Sequence, residues 1–187
     1  MSKITSDFKI DPADIDETSS YKYSPLEATR DISYRKGEVI AKKYPDDIVI
    51  SADTIVVIDN KIIGKPIDAE DAIRMLKLLS NKTHEVITAY SIFYKDISLT
   101  HDVHSYVTFN MLDEKMIYEY VKSKSPLDKA GAYGLQDNEK YHIIKEVKGS
   151  LNNVIGFPVE EIKRDLIDLH LLYKQNKKKS LSFRGIF

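Results

Sequence analysis

There is no cysteine and no tryptophan in this chain, and it holds only seven glycines and six prolines among 187 residues. Without cysteine there is no disulfide framework and no thiolate metal site, which is compatible with a cytoplasmic location. So few glycines exclude a dinucleotide-binding fingerprint, and no GxxxxGK[ST] loop appears. No run approaches the roughly 18 apolar residues of a membrane helix, and the opening "MSKITSDFKIDPADIDET" has no apolar segment like that of a signal peptide. What is present, 42% hydrophobic and 30% charged residues, suits a water-soluble globular fold of one domain.

The net charge of −1 conceals an asymmetry. The closing stretch "KQNKKKSLSFRGIF" holds Lys174, Lys177, Lys178, Lys179 and Arg184 and no acid. Taking those five from the 28 basic residues leaves 23 against 29 acidic ones. The reading is one domain over residues 1–173 and a basic tail over 174–187, a solvated end. The body carries no basic stripe, so neither nucleic acid nor membrane is an expected partner.

Along the chain, "SPLE" at Ser24–Glu27 reads as a capping box with proline at the first helical position, opening a helix to about Tyr44. Residues 47–58 are β-branched and apolar enough for a central strand, and "DNK" turns the chain into a short strand at Ile62-Ile63. Asp68 caps a helix whose Ala72, Met75, Leu76 and Leu79 share a face. "HEVITAYSIFYKD" and "THDVHSYVTFNML" read as strands joined through "ISL". Asp113 caps a helix to about Lys122, "KYHIIKEV" reads as a strand, and a last amphipathic helix starts near Pro158. This intermixing predicts an α/β fold with a mixed, twisted β-sheet flanked by helices.

Asp53 is the sharpest chemical candidate. A carboxylate inside "IVISADTIVVI" is expensive to bury without a partner. It either caps or accepts from the backbone, or it holds a divalent cation or takes a proton from water. "GKP" follows after a single tight turn, with glycine admitting close approach and Lys65 a point charge, a pairing that suits a metal-bound phosphate. Three other stretches carry partners. "DIDET" ends in Glu17, and "RKGE" puts Lys36 on the first helix, where a solvated face is the simpler reading. "LDKAGAYGLQ" describes a shaped loop holding Lys129 and Gln136, whose amide both donates and accepts. His84, Val86 and Thr88 alternate onto one strand face, whereas His101 and His104 fall on opposite faces and make a poor metal pair.

Taken in order from about Phe8 to Leu169, "DIDET", "RKGEVIAKK", "SADTIVV", "IIGKP", "HEVIT", "DKAGAYGLQ" and "GSLNNVIGFP" resemble the Maf family of nucleoside triphosphate pyrophosphatases, related in fold to the inosine triphosphate pyrophosphatases. The resemblance implies that Asp53 accepts a proton from water or ligates metal, and that Glu17 is the second acidic residue of the metal site. It assigns Lys36, Lys65 and Lys129 to the phosphates, and matches Thr54 and Gln136 to the branch acting on dTTP and UTP. It further implies a nucleoside triphosphate substrate, a divalent cation (Mg, Mn or Co), and a homodimer. Two departures accompany it. The usual opening strand and Ser-x-Ser-Pro-Arg-Arg loop have no counterpart in this sequence, which predicts loss of two phosphate-gripping arginines and an exposed sheet edge. Lys124-Ser125 stands where the family usually has Gly-Glu. Two functions are therefore in competition: a working dTTP/UTP pyrophosphatase, and a degenerate Maf-like protein that binds nucleotides or partners without turnover.

Overall fold

The computed structural model describes residues 4, 8–20, 22–172 and 183–186. Helix α1 spans Pro25–Lys43. Ser24 Oγ accepts from the Glu27 N–H while the Glu27 carboxylate accepts from the Ser24 N–H, so the capping box closes from both sides. The helix stops one residue short of Pro45, as the clash of proline with the preceding turn requires. Helices α2 (Ala69–Leu79) and α3 (Glu114–Lys122) begin at Asp68 and Asp113, whose carboxylates accept from the N–H groups of Asp71 and Met116, each at 2.8 Å. Helices α4 (Asn138–Tyr141) and α5 (Leu151–Ile155) are short, and α6 runs over Val159–Asp168.

The strands are β1 (Phe8–Ile10), β2 (Ile48–Ile58), β3 (Lys61–Ile63), β4 (Thr83–Tyr94), β5 (Ile97–Phe109), β6 (Ile144–Lys148) and β7 (Phe183–Ile186). They form a mixed sheet in the order β1-β7-β2-β4-β5-β6, with β3 paired to β2. Asp59 and Asn60 both take positive φ, 49° and 59°, as a two-residue hairpin turn between β2 and β3 demands.

Four local readings change. "ISL" begins β5 instead of linking two strands, because the reversal is made by Lys95, at φ 53°, and Asp96. The first residues of "KYHIIKEV" close α4, and His142 at φ 47° separates that turn from β6. Strand β1 and helix α5 are additional. The largest change is at the tail, read as a solvated end: Phe183–Ile186 pair in parallel with both β1 and β2, and β2 is the central strand expected, with a neighbour on each side.

The chain resolves into two compact units. The first comprises Met1–Asp53, Thr88–Val103 and Gly156–Phe187, and the second Thr54–Ile87 and His104–Ile155. In the first unit Ile48, Ile50, Ala52, Tyr90, Ile92, Ile162 and Leu166 form the core, with Ile40, Val49 and Phe93 packed as a smaller cluster. In the second, the buried face of α2 (Ala72, Met75, Leu76, Leu79) packs with Ile117, Tyr120 and Val121 of α3 and with Val86, Val107 and Phe109. Among the described residues no helix is long and apolar enough to cross a membrane.

Candidate active site

The site is built from the residues that let α1 approach the sheet. Ser33, Gly37, Ser51 and Ser91 are small and buried. Ser51 Oγ donates to the Ser33 carbonyl at 2.7 Å, and Ser33 Oγ lies 3.1 Å from Ser91 Oγ. A β-carbon on Gly37 would stand 2.3 Å from a Phe93 ring carbon and 2.5 Å from Ser51 Oγ. Glycine in a helix interior costs about 1 kcal/mol relative to alanine, and here that cost has a visible return in proximity.

Close approach brings Lys36, the residue before Gly37, onto β2. Its ammonium lies 2.8 Å from Asp53 Oδ1 and 2.7 Å from Glu17 Oε1. The Lys36 and Asp53 side chains are each 12% exposed, and that of Glu17 is 40% exposed. Burial works against the lysine's charge, but attraction and hydrogen bonding from Asp53, then from Glu17, outweigh it and hold its pKa above the usual lysine value. The solvated face is thus overturned for Lys36: the α1 residue meets both acids. What it touches here is carboxylate.

The loop bearing Glu17 is fastened to α1 by the neighbouring Arg35. Its guanidinium donates to the Asp16 carbonyl at 2.7 Å, to Ser19 Oγ and Ser20 Oγ at 2.9 Å each, and pairs with Asp31 at 3.2 Å. Hydrogen bonds from the Thr18 hydroxyl and N–H hold the Asp16 carboxyl below the usual range. Arg35 was visible in "RKGE", and the fork geometry of arginine is what ties so many acceptors at once.

The remaining candidates lie in the second unit. Thr54 is half-buried and follows Asp53 directly. Lys65 is exposed on the Gly64-Lys65-Pro66 loop. That loop is joined to the "DKAGAYGLQ" segment by the Gly131 N–H, which donates to the Gly64 carbonyl at 3.0 Å. Gly131 has φ 70°, and a β-carbon there would press on Val56 at 3.1 Å. Lys129 turns onto its own loop, donating to the Ser125 carbonyl at 2.5 Å and to Asp128 at 2.7 Å. Gln136 is exposed on the turn Leu135–Asp137. Beneath it Asp137 accepts from Tyr120 Oη at 2.7 Å and Ser125 Oγ at 2.8 Å.

His84, expected only as a strand-face residue, is 2% exposed, with Nε2 2.7 Å from Tyr133 Oη. Burial pushes its pKa down to about 4, so the ring is neutral and structural. His101 and His104 pair separately, with Asp165 and Glu85, each at 2.8 Å.

A family model described as Maf-like protein matches residues 1–169. The chain belongs to the Maf family. Among similar Maf proteins, one from Bacillus cereus (strain AH820) and one from Bacillus anthracis, each named dTTP/UTP pyrophosphatase, are 38% identical over 159 residues, covering 85% of this chain and 83% of the relative. A third, from Bacillus cytotoxicus and of the same name, is 36% identical over the same coverage.

Whether the residues fit a divalent cation is tested by the ammonium itself. Two hard carboxylate oxygens converge on one cationic atom at 2.7 and 2.8 Å, so both acids already present charge to a common point. Among the described residues no group of three or more acidic or histidine side chains makes a complete protein cage. Magnesium does not need one: it takes one or two carboxylates and completes its shell with water and substrate phosphates. The donor set fits.

Proposed function

We propose that this Maf protein is a nucleoside triphosphate pyrophosphatase that converts dTTP and UTP to the monophosphate and pyrophosphate. The observation that carries the reading is the convergence of Glu17, Lys36 and Asp53, three residue types suited to a metal-bound triphosphate. The names of the relatives support the same substrate class.

Glu17 and Asp53 would hold the cation, magnesium, manganese or cobalt, which supplies charge neutralisation at the phosphates when bound. Asp53 accepts a proton from water as the water oxygen bonds to the α-phosphorus. The bond from that phosphorus to the oxygen bridging toward the β-phosphorus breaks, and pyrophosphate leaves. Lys36 moves from carboxylate to phosphate oxygen as substrate enters, a short swing for a flexible ammonium. Lys65 adds positive charge from its exposed loop, and Thr54 and Gln136 read the pyrimidine edge. A homodimer acting in the cytoplasm, with no nucleic acid or membrane partner, completes the proposal.

Product analysis in ¹⁸O-water tests the chemistry. The proposal requires dTMP carrying the label together with unlabelled pyrophosphate; dTDP and inorganic phosphate would contradict it. A second reading, nucleotide binding without turnover, draws on Lys129, whose ammonium is engaged by Ser125 and Asp128. Saturable dTTP binding with no labelled product would favour it.

A further inference from the structure

Strand β7 lies between β1 and β2, the strand that carries Asp53. On one side Phe8, Lys9 and Ile10 of β1 register with Phe183, Arg184 and Gly185. On the other side Ile48, Val49, Ile50 and Ser51 of β2 register with Phe183, Arg184, Gly185 and Ile186. The segment leaving β1 carries Glu17, and β2 carries Asp53 two residues beyond Ser51. Among the described residues β1 has no sheet partner other than β7. The sheet path between the segments that carry the two carboxylates therefore crosses β7, at about 4.8 Å per strand step.

Strands of three and four residues are marginal on backbone pairing alone. Arg184 supplies the fastening. Its Nε donates to Asp47 Oδ2 at 2.5 Å, its guanidinium carbon stands 3.2 Å from the centre of the Tyr44 ring, and its Nη1 is 4.0 Å from Asp11 Oδ2. The side chain is 12% exposed. Asp47 immediately precedes β2, Asp11 immediately follows β1, and Tyr44 caps the C-terminus of α1, the helix that carries Lys36. Lys43 adds a contact to Asp11 at 3.2 Å, and the Asp11 N–H donates to the Gly185 carbonyl at 3.3 Å. One side chain thus joins the residue after β1, the residue before β2 and the C-terminal cap of α1. A planar, stacked fork with three partners has no equivalent in lysine.

We propose that the C-terminal strand is a working part of the site and that Arg184 is its positioning residue, setting the separation of Glu17 and Asp53 without touching substrate. This inference rests on the pyrophosphatase reading only for its activity readout.

The test uses the full chain and Mn²⁺ alone, titrated by electron paramagnetic resonance, alongside pyrophosphate release from dTTP. Arg184→Ala should bind Mn²⁺ at least tenfold more weakly, and the metal concentration for half-maximal turnover should rise by a similar factor. General loss of stability would lower the number of competent sites without changing the affinity of those that remain. Should Arg184→Ala fail to fold, Asp47→Asn, which keeps the size and removes the charge, should weaken Mn²⁺ at least threefold. A folded Arg184→Ala, or failing that Asp47→Asn, with wild-type Mn²⁺ affinity overturns the inference. If the wild-type chain binds Mn²⁺ but releases no pyrophosphate, the pyrophosphatase reading falls while the titration still decides the role of Arg184. If it binds no Mn²⁺ at all, the inference is overturned.

Discussion

The Lys36 ammonium lies 2.8 Å from Asp53 Oδ1, on two side chains that are each 12% exposed. This pair explains why a carboxylate stands in an apolar strand, since a buried charge persists only with a partner. It also makes Lys36 an occupant of the position where both acids converge. Lys36→Met should lower kcat/KM for dTTP on the order of 10²-fold, as expected for a lost charge-assisted contact in a pre-organised site. It should also leave Glu17 and Asp53 facing each other without a cation. Mn²⁺ should then raise the melting temperature of the variant more than that of the wild type, and an equal rise in both would refute the shared cation position.

Gly37 controls how closely α1 sits. The space for a β-carbon is occupied by Phe93 and Ser51, so Gly37→Ala forces overpacking that costs about 1–3 kcal/mol. The helix shift should displace Lys36 with it, so KM for dTTP should rise along with the loss of stability read by urea unfolding. Unchanged stability would show that α1 has room the structure denies it.

Lys124 adopts φ 62°, ψ −5°, the left-handed region in which a side chain is strained by roughly 1–2 kcal/mol. Lys124→Gly should stabilise the second unit by about 0.5–1 kcal/mol, less than the full strain because glycine is freer when unfolded. Loss of stability in thermal unfolding would count against the strain.

His84 gives a pH dependence with a definite sign. Burial lowers its folded pKa to about 4 from the usual 6.5, so between these values the unfolded chain binds the proton more readily. Stability from this group is complete above pH 6.5, declines as pH falls toward 4, and levels off below it. The gap corresponds to about 3 kcal/mol. Denaturant midpoints across this range should fall more steeply in the wild type than in His84→Phe; identical slopes would remove His84 as the source.

Most of the helices were legible because their signals are local. Ser24, Asp68 and Asp113 each precede a periodic apolar face, and each accepts the backbone N–H groups its position predicts. The strand around Asp53 was legible because eight apolar residues surround one acid. What escaped depends on contacts far apart in sequence. Gly37 matters only because Phe93 faces it, and Arg35 looked like any helix-surface arginine until Asp16, Ser19 and Ser20 folded back upon it. The lysine-rich approach to Phe183 reads as solvated, and nothing local indicates that Arg184 would find Asp47, Asp11 and Tyr44. Lys65 was legible from its Gly-Lys-Pro context, whereas the roles of Thr54, Lys129 and Gln136 rest on resemblance, and the Lys129 ammonium finds its partners within its own loop.

The most direct measurement is pyrophosphate release from dTTP and UTP with Mg²⁺, comparing the wild-type chain with Asp53→Asn. The substitution preserves size and most hydrogen bonding while removing the proposed proton acceptor and one proposed negative metal ligand. A wild type that turns over both nucleotides and a variant slowed on the order of 10²-fold or more is the result predicted. Turnover that survives Asp53→Asn at the wild-type rate would contradict the account.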